Sequence, residues 1–377
     1  MNNIIFIEAT LNYPYSFSAS NTKVHFLCEG LKRNGDICTI INSSNQGRRK
    51  QGIHKGVPFY IISKNLFSFC IDVSSTIKRL YNKNSNNYVV VTAPNILKFI
   101  LIWFISRLHK YRLLGLYHEY YQTCFGRSRW DRKILSKWFD YTFGYFCDAI
   151  LPISEFLRQK CQHFNKPMLK VPIVADFDSY RHLPQRIDCN EYFLYCGNVG
   201  YARVLYILID SFLKLLLKGY KVKLRLVLHG SPALVKKFKK YVLGEGIAEN
   251  VEFYANLEYN DLLNHYKNAI ALLIPLDKKS VQDQARFSQK IAEYLSAKRP
   301  IITVNTGEIP YYFTDGENSL ILEELKPELM LEKMEWVIAH PLLANKVGLN
   351  GFDLGLKNFD YLINGCSIHS FLSSLNP

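Results

Sequence analysis

Residues 287–321, FSQKIAEYLSAKRPIITVNTGEIPYYFTDGENSLI, decide the fold of this chain. The pattern predicts a loop, a helix, the buried strand Ile301–Val304 and a glycine turn. The first N–H groups of a helix have no partner within it and lie at the positive end of its dipole, so they attract a phosphate. Glu293 follows about a turn and a half into the helix. We therefore expect this unit to suit a nucleotide-diphosphate ligand, with Glu293 accepting hydrogen bonds from sugar hydroxyls.

Predicted strands and helices alternate on both sides of this stretch, which indicates an α/β fold with mainly parallel sheets. A polar segment at 175–189 is predicted to link two halves. We predict two Rossmann-like domains facing across a cleft, at 1–180 and 190–357, with the helix at about 358–377 packing back on the first. In such folds ligands bind at the carboxyl ends of the strands.

The chain of 377 residues carries a formal net charge of +15. This charge favours anionic partners such as nucleic acid, anionic lipid or a phosphorylated substrate. We find no zinc finger, RNA-recognition signature or basic zipper, so a dedicated nucleic-acid binder is disfavoured. The nine cysteines include no CxxC pair, and the first residues have no basic segment or cleavage site of a signal peptide. We expect a reducing, cytoplasmic location.

The most hydrophobic run, ILKFILIWFI at 96–105, is shorter than the roughly 20 residues that a membrane-spanning helix needs. It is either a buried helix or a membrane-surface helix. Basic residues at 107–137, with aromatic residues from Trp103 to Phe139, would suit an anionic leaflet. The alternative for this charge run is a solvated helix face. If this run is a membrane-surface helix, we expect the protein to associate with the inner face of the membrane.

Several local predictions concern boundaries. We predict a helix at 21–34 capped by Asn21 or Thr22, a polar loop at 43–55 and a strand at 170–173. Further helices are predicted at Leu66–Leu80, Trp130–Phe146 and 155–163, the last capped by Ser154, and at Pro327–Ala339, 341–347 and 360–375.

With this order in view, the chain resembles the family 4 glycosyltransferases of the GT-B fold over nearly its full length. Residues 287–321 are similar to the family block FPNKIFEYMAAGKPVV…GEIPE…DGENGLL. Three further segments match in order: CDAILPISEFL at 147–157, VPIVADFDSY at 171–180 and YFLYCGNVG at 192–200. The resemblance implies that a nucleotide sugar binds the C-terminal domain and an acceptor the N-terminal one. It also implies transfer with retention of configuration, without a metal ion or a cofactor.

The resemblance assigns roles around the deciding helix. Glu293 matches the second acid of the Glu-x7-Glu motif, which binds the nucleotide ribose; the first acid falls at Ala285, a departure that Asp283 would have to compensate. Lys290 would neutralise the departing diphosphate, assisted by Ser288 and Gln289 at the helix start. The alternative for Glu293 and Lys290 is an ordinary solvated helix surface.

Other implied donor residues follow the strands of the C-terminal half. Gly197 and Gly200 allow close backbone approach, and Arg203 would clamp the donor phosphates where the family has a lysine–glycine pair. Thr306 and Gly307 either cap the base pocket or simply end a strand.

In the N-terminal half, His118 would hydrogen-bond the transferred sugar, or it is a polar loop residue. Asn21 and His25 would contact the acceptor, although 18–21 replaces the family's Gly-Gly pair. Asp176 and Asp178 form an Asp-x-Asp triplet, but we predict no metal site.

These motifs predict a retaining, metal-independent hexosyltransferase. It would use a nucleotide-diphosphate sugar to extend a glycan or lipid-linked glycan precursor of a surface polysaccharide. Two alternatives remain open: a nucleotide-sugar epimerase of the same fold, and a non-catalytic nucleotide-sugar-binding partner subunit. The motifs do not specify the sugar, the base or the linkage.

Overall fold

The computed structural model describes most of the chain, in the ranges 1–10, 12–15, 18–44, 50–92, 95–124, 130–178 and 191–375. It divides into two compact units. The N-terminal unit comprises Met1–Ala175, Gln284–Gln289 and Phe359–Pro377, and the C-terminal unit comprises Asp176–Asp283 and Lys290–Asn358. Most of the predicted linker lies at 179–190, outside the described residues.

The sheet of the N-terminal unit has the order β3-β4-β2-β1-β5-β6-β7. Its strands are β1 Asn2–Ile7, β2 Ile37–Ser44, β3 Lys50–His54, β4 Val57–Ser63, β5 Asn86–Val91, β6 Arg112–Tyr117 and β7 Ala149–Pro152. All neighbours are parallel except β3 and β4. In the central strand β1, Ile4 pairs with Cys38 on one side and Tyr88 on the other. Every residue of β1 is buried, as expected for a parallel strand covered on both faces.

The helices of this unit are α1 Ala19–Arg33, α2 Leu66–Leu80, α3 Ile96–Leu108, α4 Tyr121–Cys124, α5 Trp130–Phe146, α6 Glu155–Cys161 and α15 Tyr361–Ser374. The last helix, α15, packs closely on α1. A Cβ added to Gly30 would lie 2.2 Å from the carbonyl oxygen of Tyr361, and one added to Gly365 would lie 2.3 Å from the carbonyl carbon of Gly30. The Tyr88 hydroxyl donates to the Leu372 carbonyl at 2.6 Å. The two glycines therefore permit this helix contact.

The sheet of the C-terminal unit is parallel throughout its described strands, with the order β10-β9-β8-β11-β12-β13. These strands are β8 Tyr192–Asn198, β9 Lys223–His229, β10 Val251–Tyr254, β11 Ala271–Ile274, β12 Ile301–Val304 and β13 Leu320–Leu322. The remaining helices are α7 Ala202–Leu217, α8 Pro232–Gly244, α9 Tyr259–Asn268, α10 Val281–Ala285, α11 Gln289–Ser296, α12 Ile309–Tyr312, α13 Pro327–Ala339 and α14 Pro341–Phe359. Both units are thus α/β, as predicted.

Helix α14 is longer than predicted, because it continues beyond 347 to Phe359. Glycines within it serve packing. A Cβ on Gly348 would lie 2.7 Å from the Lys298 carbonyl oxygen, and one on Gly351 would lie 2.8 Å from that of Asn318. The gain from this close packing outweighs the helix-weakening effect of glycine.

Two predictions at the start of the chain are wrong. The predicted loop at 43–55 contains β3, which pairs antiparallel with β4 across a turn at Lys55 and Gly56, whose φ angles are +43° and +77°. The sequence of β3, KQGIH, lacks the apolar alternation of a strand, so backbone pairing forms it. The cap of α1 is Ser18, whose hydroxyl accepts from the Asn21 N–H at 3.2 Å. Asn21 is therefore inside the helix.

The segment 170–173 is not a strand. It runs beside β7, where the Val171 N–H donates to the Pro152 carbonyl at 2.9 Å, with only an isolated bridge nearby between Met168 and Ile150. In contrast, Ser154 caps α6 as predicted, accepting from the Leu157 N–H at 3.2 Å.

The hydrophobic run at 96–105 lies in α3, which has one buried face and one exposed face. Phe99 and Ile102 are buried, whereas Leu97 and Phe104 are exposed. Among the aromatic residues expected at a membrane, Phe139 is instead a core residue that stacks on Phe143, since it lies on the inner face of α5. The basic residues Arg127 and Arg129 lie outside the described residues. No helix in the described ranges combines the length and apolarity needed to cross a bilayer.

Candidate active site

In the C-terminal unit, α11 packs against the carboxyl end of β8. The Cys196 N–H donates to the Tyr294 hydroxyl at 2.9 Å, and the Tyr294 ring is fully buried beside that of Tyr266. This anchor fixes the rotation of α11. Lys290 and Glu293 are three residues apart, so they lie on one face of the helix.

Glu293, on α11, is a buried acid without a hydrogen-bond partner among the described residues. Its side chain is only 4% exposed, and its carboxylate makes no hydrogen bond or ion pair with any described residue. Burial raises the pKa of Glu293 to about 7, against the opposing charge of Lys290. A buried carboxylate without donors is costly, so this position favours a ligand that supplies them.

Lys290 and His229 complete this cluster. The Lys290 ammonium has no ion-pair partner within the described part of the chain, and its charge acts on both Glu293 and His229. His229 ends β9, where burial, and then Lys290, lower the pKa of its imidazole. Sequence reasoning did not select His229 as a site residue. Its position at the carboxyl end of a parallel strand, directly before Gly230, was the available signal.

The glycine turn after β8 lies beside this cluster. A Cβ on Gly197 would lie 2.0 Å from the Tyr195 hydroxyl. The Asn198 side chain accepts from the Gly200 N–H at 2.7 Å, and a Cβ on Gly230, whose φ is +126°, would lie 2.9 Å from the same Asn198 oxygen. These glycines keep the turn compact, so its backbone lies close to His229.

Arg203, at the start of α7, forms an ion pair with Asp277 at 2.9 Å, and its side chain is 69% exposed. Asp277 follows β11, the neighbour of β8, and its N–H donates to the Asp283 carboxylate at 2.9 Å. Asp283 is buried and holds its own loop. The structure therefore uses Asp283 for loop geometry.

Thr306 and Gly307 form a tight turn between β12 and α12. The Thr306 N–H donates to the Val304 carbonyl at 2.8 Å, and the Ile309 N–H donates to the Thr306 carbonyl at 3.2 Å. Gly307 has a φ of +59°. Thr306 is buried. The positive φ angle explains why a glycine stands at 307. Thr306 and Gly307 both lie at the same sheet edge as the glycine turn after β8.

Ser288 and Gln289 stand at the start of α11, but the Gln289 side chain is already used. It is buried and forms hydrogen bonds in both directions with the backbone of Val174, its oxygen accepting from the N–H at 3.3 Å. The Ala285 carbonyl accepts from the Ser154 hydroxyl. The Ser288 hydroxyl and the backbone N–H groups at 288–289 therefore remain as candidate phosphate donors.

In the N-terminal unit, His118 follows β6 and its Nδ1 is buried without a hydrogen-bond partner in the described residues. Burial, with a smaller effect from Lys23, lowers the pKa of His118 to about 3, so the ring is neutral at physiological pH. Lys23 is buried on α1 and donates to the Val171 carbonyl at 3.0 Å. Burial lowers the pKa of Lys23 to about 7. A neutral imidazole next to an amine suits hydrogen bonding to a hydroxyl.

The predicted acceptor residues, Asn21 and His25, both lie on α1, as does Lys23. His25 Nδ1 is 2.8 Å from the Tyr13 hydroxyl, and its ring lies 5.6 Å from that of His54. Burial, and then the charges of His54, Lys55 and Lys32, lower the pKa of His25 to about 4. No hydrogen bond or ring contact joins His25 to His118 among the described residues. Asn21 is buried within α1.

A cavity of about 540 Å³ lies elsewhere in the N-terminal unit, between α2 and the strands β3 and β4. It contains none of the predicted site residues.

The Asp176 carboxylate accepts from the Asp178 N–H at 3.0 Å, which makes this triplet a local turn. Within the described ranges, no three His, Cys, Asp or Glu side chains are grouped as metal ligands would be.

Comparisons with known proteins agree with this architecture. Residues 182–353 match the family model described as glycosyl transferases group 1. A comparison with curated protein sequences gives no match.

Three solved structures share the fold across both units. Sucrose-phosphate synthase from Thermosynechococcus elongatus has 13% identity and a TM-score of 0.76, covering 100% of this chain and 99% of its own. A glycosyltransferase from Rickettsia africae has 14% identity and a TM-score of 0.74, with 99% and 98% covered. Anabaena HepE, solved with UDP-glucose, has 12% identity and a TM-score of 0.73, with 99% of each chain covered. The chain therefore has the two-domain α/β fold of these structures, GT-B, and its residues 182–353 are similar to the glycosyl transferases group 1 family.

Proposed function

We propose that this protein is a retaining glycosyltransferase of family 4 that uses a nucleotide-diphosphate sugar. The observation that carries the proposal is the buried, unpartnered carboxylate of Glu293 next to the unpaired ammonium of Lys290. A ribose supplies two vicinal hydroxyl donors for such a carboxylate. A diphosphate supplies the anion for Lys290 and for the backbone N–H groups at the start of α11. One ligand thus satisfies both groups.

The glycosyl transferase group 1 match covers the same part of the chain as Glu293 and Lys290. The structurally similar HepE was solved with UDP-glucose, which supports a nucleotide sugar as the ligand class. We assign donor binding to the C-terminal unit and acceptor binding to the N-terminal unit. The sequence resemblance suggests this division.

In the proposed reaction, the bond between the anomeric carbon and the diphosphate oxygen breaks while the acceptor hydroxyl attacks from the same face. Lys290, Arg203 and the backbone amides stabilise the negative charge on the departing diphosphate. A diphosphate oxygen takes the proton of the acceptor hydroxyl, so no enzymic nucleophile is needed. His118, neutral because of its burial, hydrogen-bonds a hydroxyl of the transferred sugar. The reaction as written requires neither a metal ion nor a cofactor.

We further propose that the acceptor is a glycan or lipid-linked glycan precursor of a surface polysaccharide, and that the enzyme works at the cytoplasmic face of the membrane. The net charge of +15 supports an anionic surface as partner. Exposed aromatic residues such as Trp138 and Phe104 on the N-terminal unit support it as well.

A second candidate function is that of a non-catalytic, nucleotide-sugar-binding partner subunit. One observation favours it: Ala285 stands where the family has an acid for the donor sugar, and Asp283 is bound within its own loop. Loss of contacts to the sugar, with those to the nucleotide retained, would leave binding without turnover.

Calorimetry with a panel of nucleotide sugars, followed by an assay for donor hydrolysis, tests these functions. We expect one donor to bind and turn over. Glu293→Ala and Lys290→Met should each lower kcat/KM at least about 100-fold, as expected for loss of a charged contact in a dry site. The matched controls Glu332→Ala and Lys236→Met, on exposed parts of α13 and α8, should retain activity. Binding without turnover would establish the second candidate, and full activity of both site variants would refute the donor site.

A further inference from the structure

Two neighbouring helices of the N-terminal unit expose rows of apolar side chains to water. On α3, Leu97, Phe104 and Leu108 are 62%, 60% and 64% exposed. With the half-buried Leu101 they follow the spacing i, i+4, i+7, i+11, which places them on one side of the helix.

The same spacing recurs on α5. Ile134, Trp138, Tyr141 and Tyr145 are 52%, 63%, 52% and 59% exposed. The inner faces of the two helices pack together, with the Phe99 ring 5.4 Å from the Phe139 ring. We call the seven exposed residues of α3 and α5 the apolar face: Leu97, Phe104, Leu108, Ile134, Trp138, Tyr141 and Tyr145. Rows of exposed apolar side chains on two helices that pack together are typical of an interaction surface.

The exposed charges described on α3 and α5 are positive. Lys133 and Lys137 are exposed on α5, and Lys137 directly precedes Trp138. The carboxylate of Asp140 is buried and accepts from the Tyr117 hydroxyl at 2.9 Å. Among the described side chains of α3 and α5, none is an exposed carboxylate. The partner is therefore anionic as well as apolar.

We propose that the apolar face docks on an anionic lipid bilayer. Tryptophan and tyrosine prefer the depth of the lipid headgroups, where a ring is apolar and its polar atom is wet. The leucine, isoleucine and phenylalanine side chains enter the acyl boundary, while Lys133 and Lys137 contact anionic headgroups. A second copy of the chain fits less well, because a twofold contact of this face would bring lysines against lysines without a facing carboxylate. The proposal extends the proposed function, since a lipid-linked acceptor lies at such a surface.

Co-sedimentation with phosphatidylcholine vesicles, with and without phosphatidylglycerol, tests the docking. We expect binding only to the anionic vesicles, weakened by salt. Lys133→Glu with Lys137→Glu should weaken binding about 30-fold or more, from the contribution of each lysine near a charged surface. Phe104→Ser with Trp138→Ser should weaken it at least about 10-fold. Both pairs lie on the surface, and an unchanged melting temperature verifies their fold.

The matched control is Lys236→Glu with Lys237→Glu on the exposed face of α8 in the C-terminal unit. It changes the net charge equally and should weaken binding less than about threefold. An equal loss in this control would refute a localised surface. Absence of wild-type binding would also overturn the proposal. So would a dimer, seen by sedimentation velocity, that dissociates with Trp138→Ser.

Donor hydrolysis separates this proposal from the proposed function. Phe104→Ser with Trp138→Ser should leave hydrolysis of a nucleotide sugar unchanged, because both residues lie outside the donor site. If the wild-type protein hydrolyses no nucleotide sugar but binds anionic vesicles through the apolar face, the docking surface stands and the proposed function fails.

Discussion

Lys23 on α1 and Glu293 on α11 are buried ionisable side chains, one in each unit, and they differ in what satisfies them. Lys23 in the N-terminal unit is 3% exposed and Glu293 in the C-terminal unit is 4% exposed. Burial moves both pKa values to about 7, downwards for the lysine and upwards for the glutamate. The Lys23 ammonium donates to the Val171 carbonyl, whereas the Glu293 carboxylate has no partner in the described residues.

This difference separates a group that holds the fold together from one for which we propose a ligand. A buried polar group that holds a hydrogen bond contributes to the fold, whereas one without a bond destabilises it until a ligand arrives. Glu293 therefore has the properties expected of a binding residue, which a protein retains although it lowers stability. Lys23 tunes its neighbour His118 and ties α1 to the segment after β7.

The largest expected effect concerns Lys23. Its folded pKa of about 7 lies below its unfolded value, so the unfolded state binds more protons between pH 7 and 10.5. The free energy of unfolding should rise with pH across this window, by an amount on the order of 5 kcal/mol for the full shift. Lys23→Met should remove this rise. Chemical denaturation at several pH values measures it, and an unchanged slope in the variant would show that Lys23 titrates normally.

Glu293→Gln should change stability and activity in opposite directions. The folded pKa of about 7 lies above the ordinary glutamate pKa of 4.5, so wild-type stability falls as pH rises through this window. The variant should be more stable above pH 7, by up to about 3 kcal/mol, with the gain disappearing near pH 4.5. Its donor turnover should fall at least about 100-fold. Denaturation and kinetics on the same preparations test this, and a variant that is destabilised at pH 8 would contradict the comparison.

Glycine positions extend the comparison to packing. Gly30→Ala should destabilise the N-terminal unit by about 2 kcal/mol, because its Cβ would overlap the Tyr361 carbonyl in the contact of α1 with α15. Gly244→Ala, at the end of α8, meets no atom within 4 Å and should stabilise by up to about 1 kcal/mol. Melting curves of the two variants measure both signs, and a neutral Gly30→Ala would mean that α15 moves aside.

The smallest effect on stability is expected for Arg203. Its ion pair with Asp277 is exposed, so Arg203→Met should cost less than about 1 kcal/mol. If Arg203 clamps the donor diphosphate, kcat/KM should nevertheless fall roughly 10-fold or more. Asp277→Asn breaks the same ion pair while keeping the cation, and should retain activity. Equal kinetic losses in both variants would assign the pair to loop structure instead of the donor.

Local signals predicted much of the fold. The bounds of α2, α5 and α13 follow from the sequence, as does the cap of α6 by Ser154, since helix periodicity and capping act within a few residues. The strand β3 escaped prediction because its backbone pairs with β4 without an apolar pattern of its own. The extension of α14 was not predicted, because its glycines fit against backbone that is distant in sequence.

The sequence by itself determined the alternation of strands and helices and the two halves, because these depend on short-range patterns. Its resemblance to a family led to the prediction of Glu293 and Lys290 as site residues. Only the tertiary structure decided that Glu293 is buried without a partner, that His229 joins it and that Gln289 is occupied by Val174. It also decided which sides of α3 and α5 face water. Desolvation and long-range hydrogen bonds depend on what the fold places around a side chain, and no local pattern contains that information.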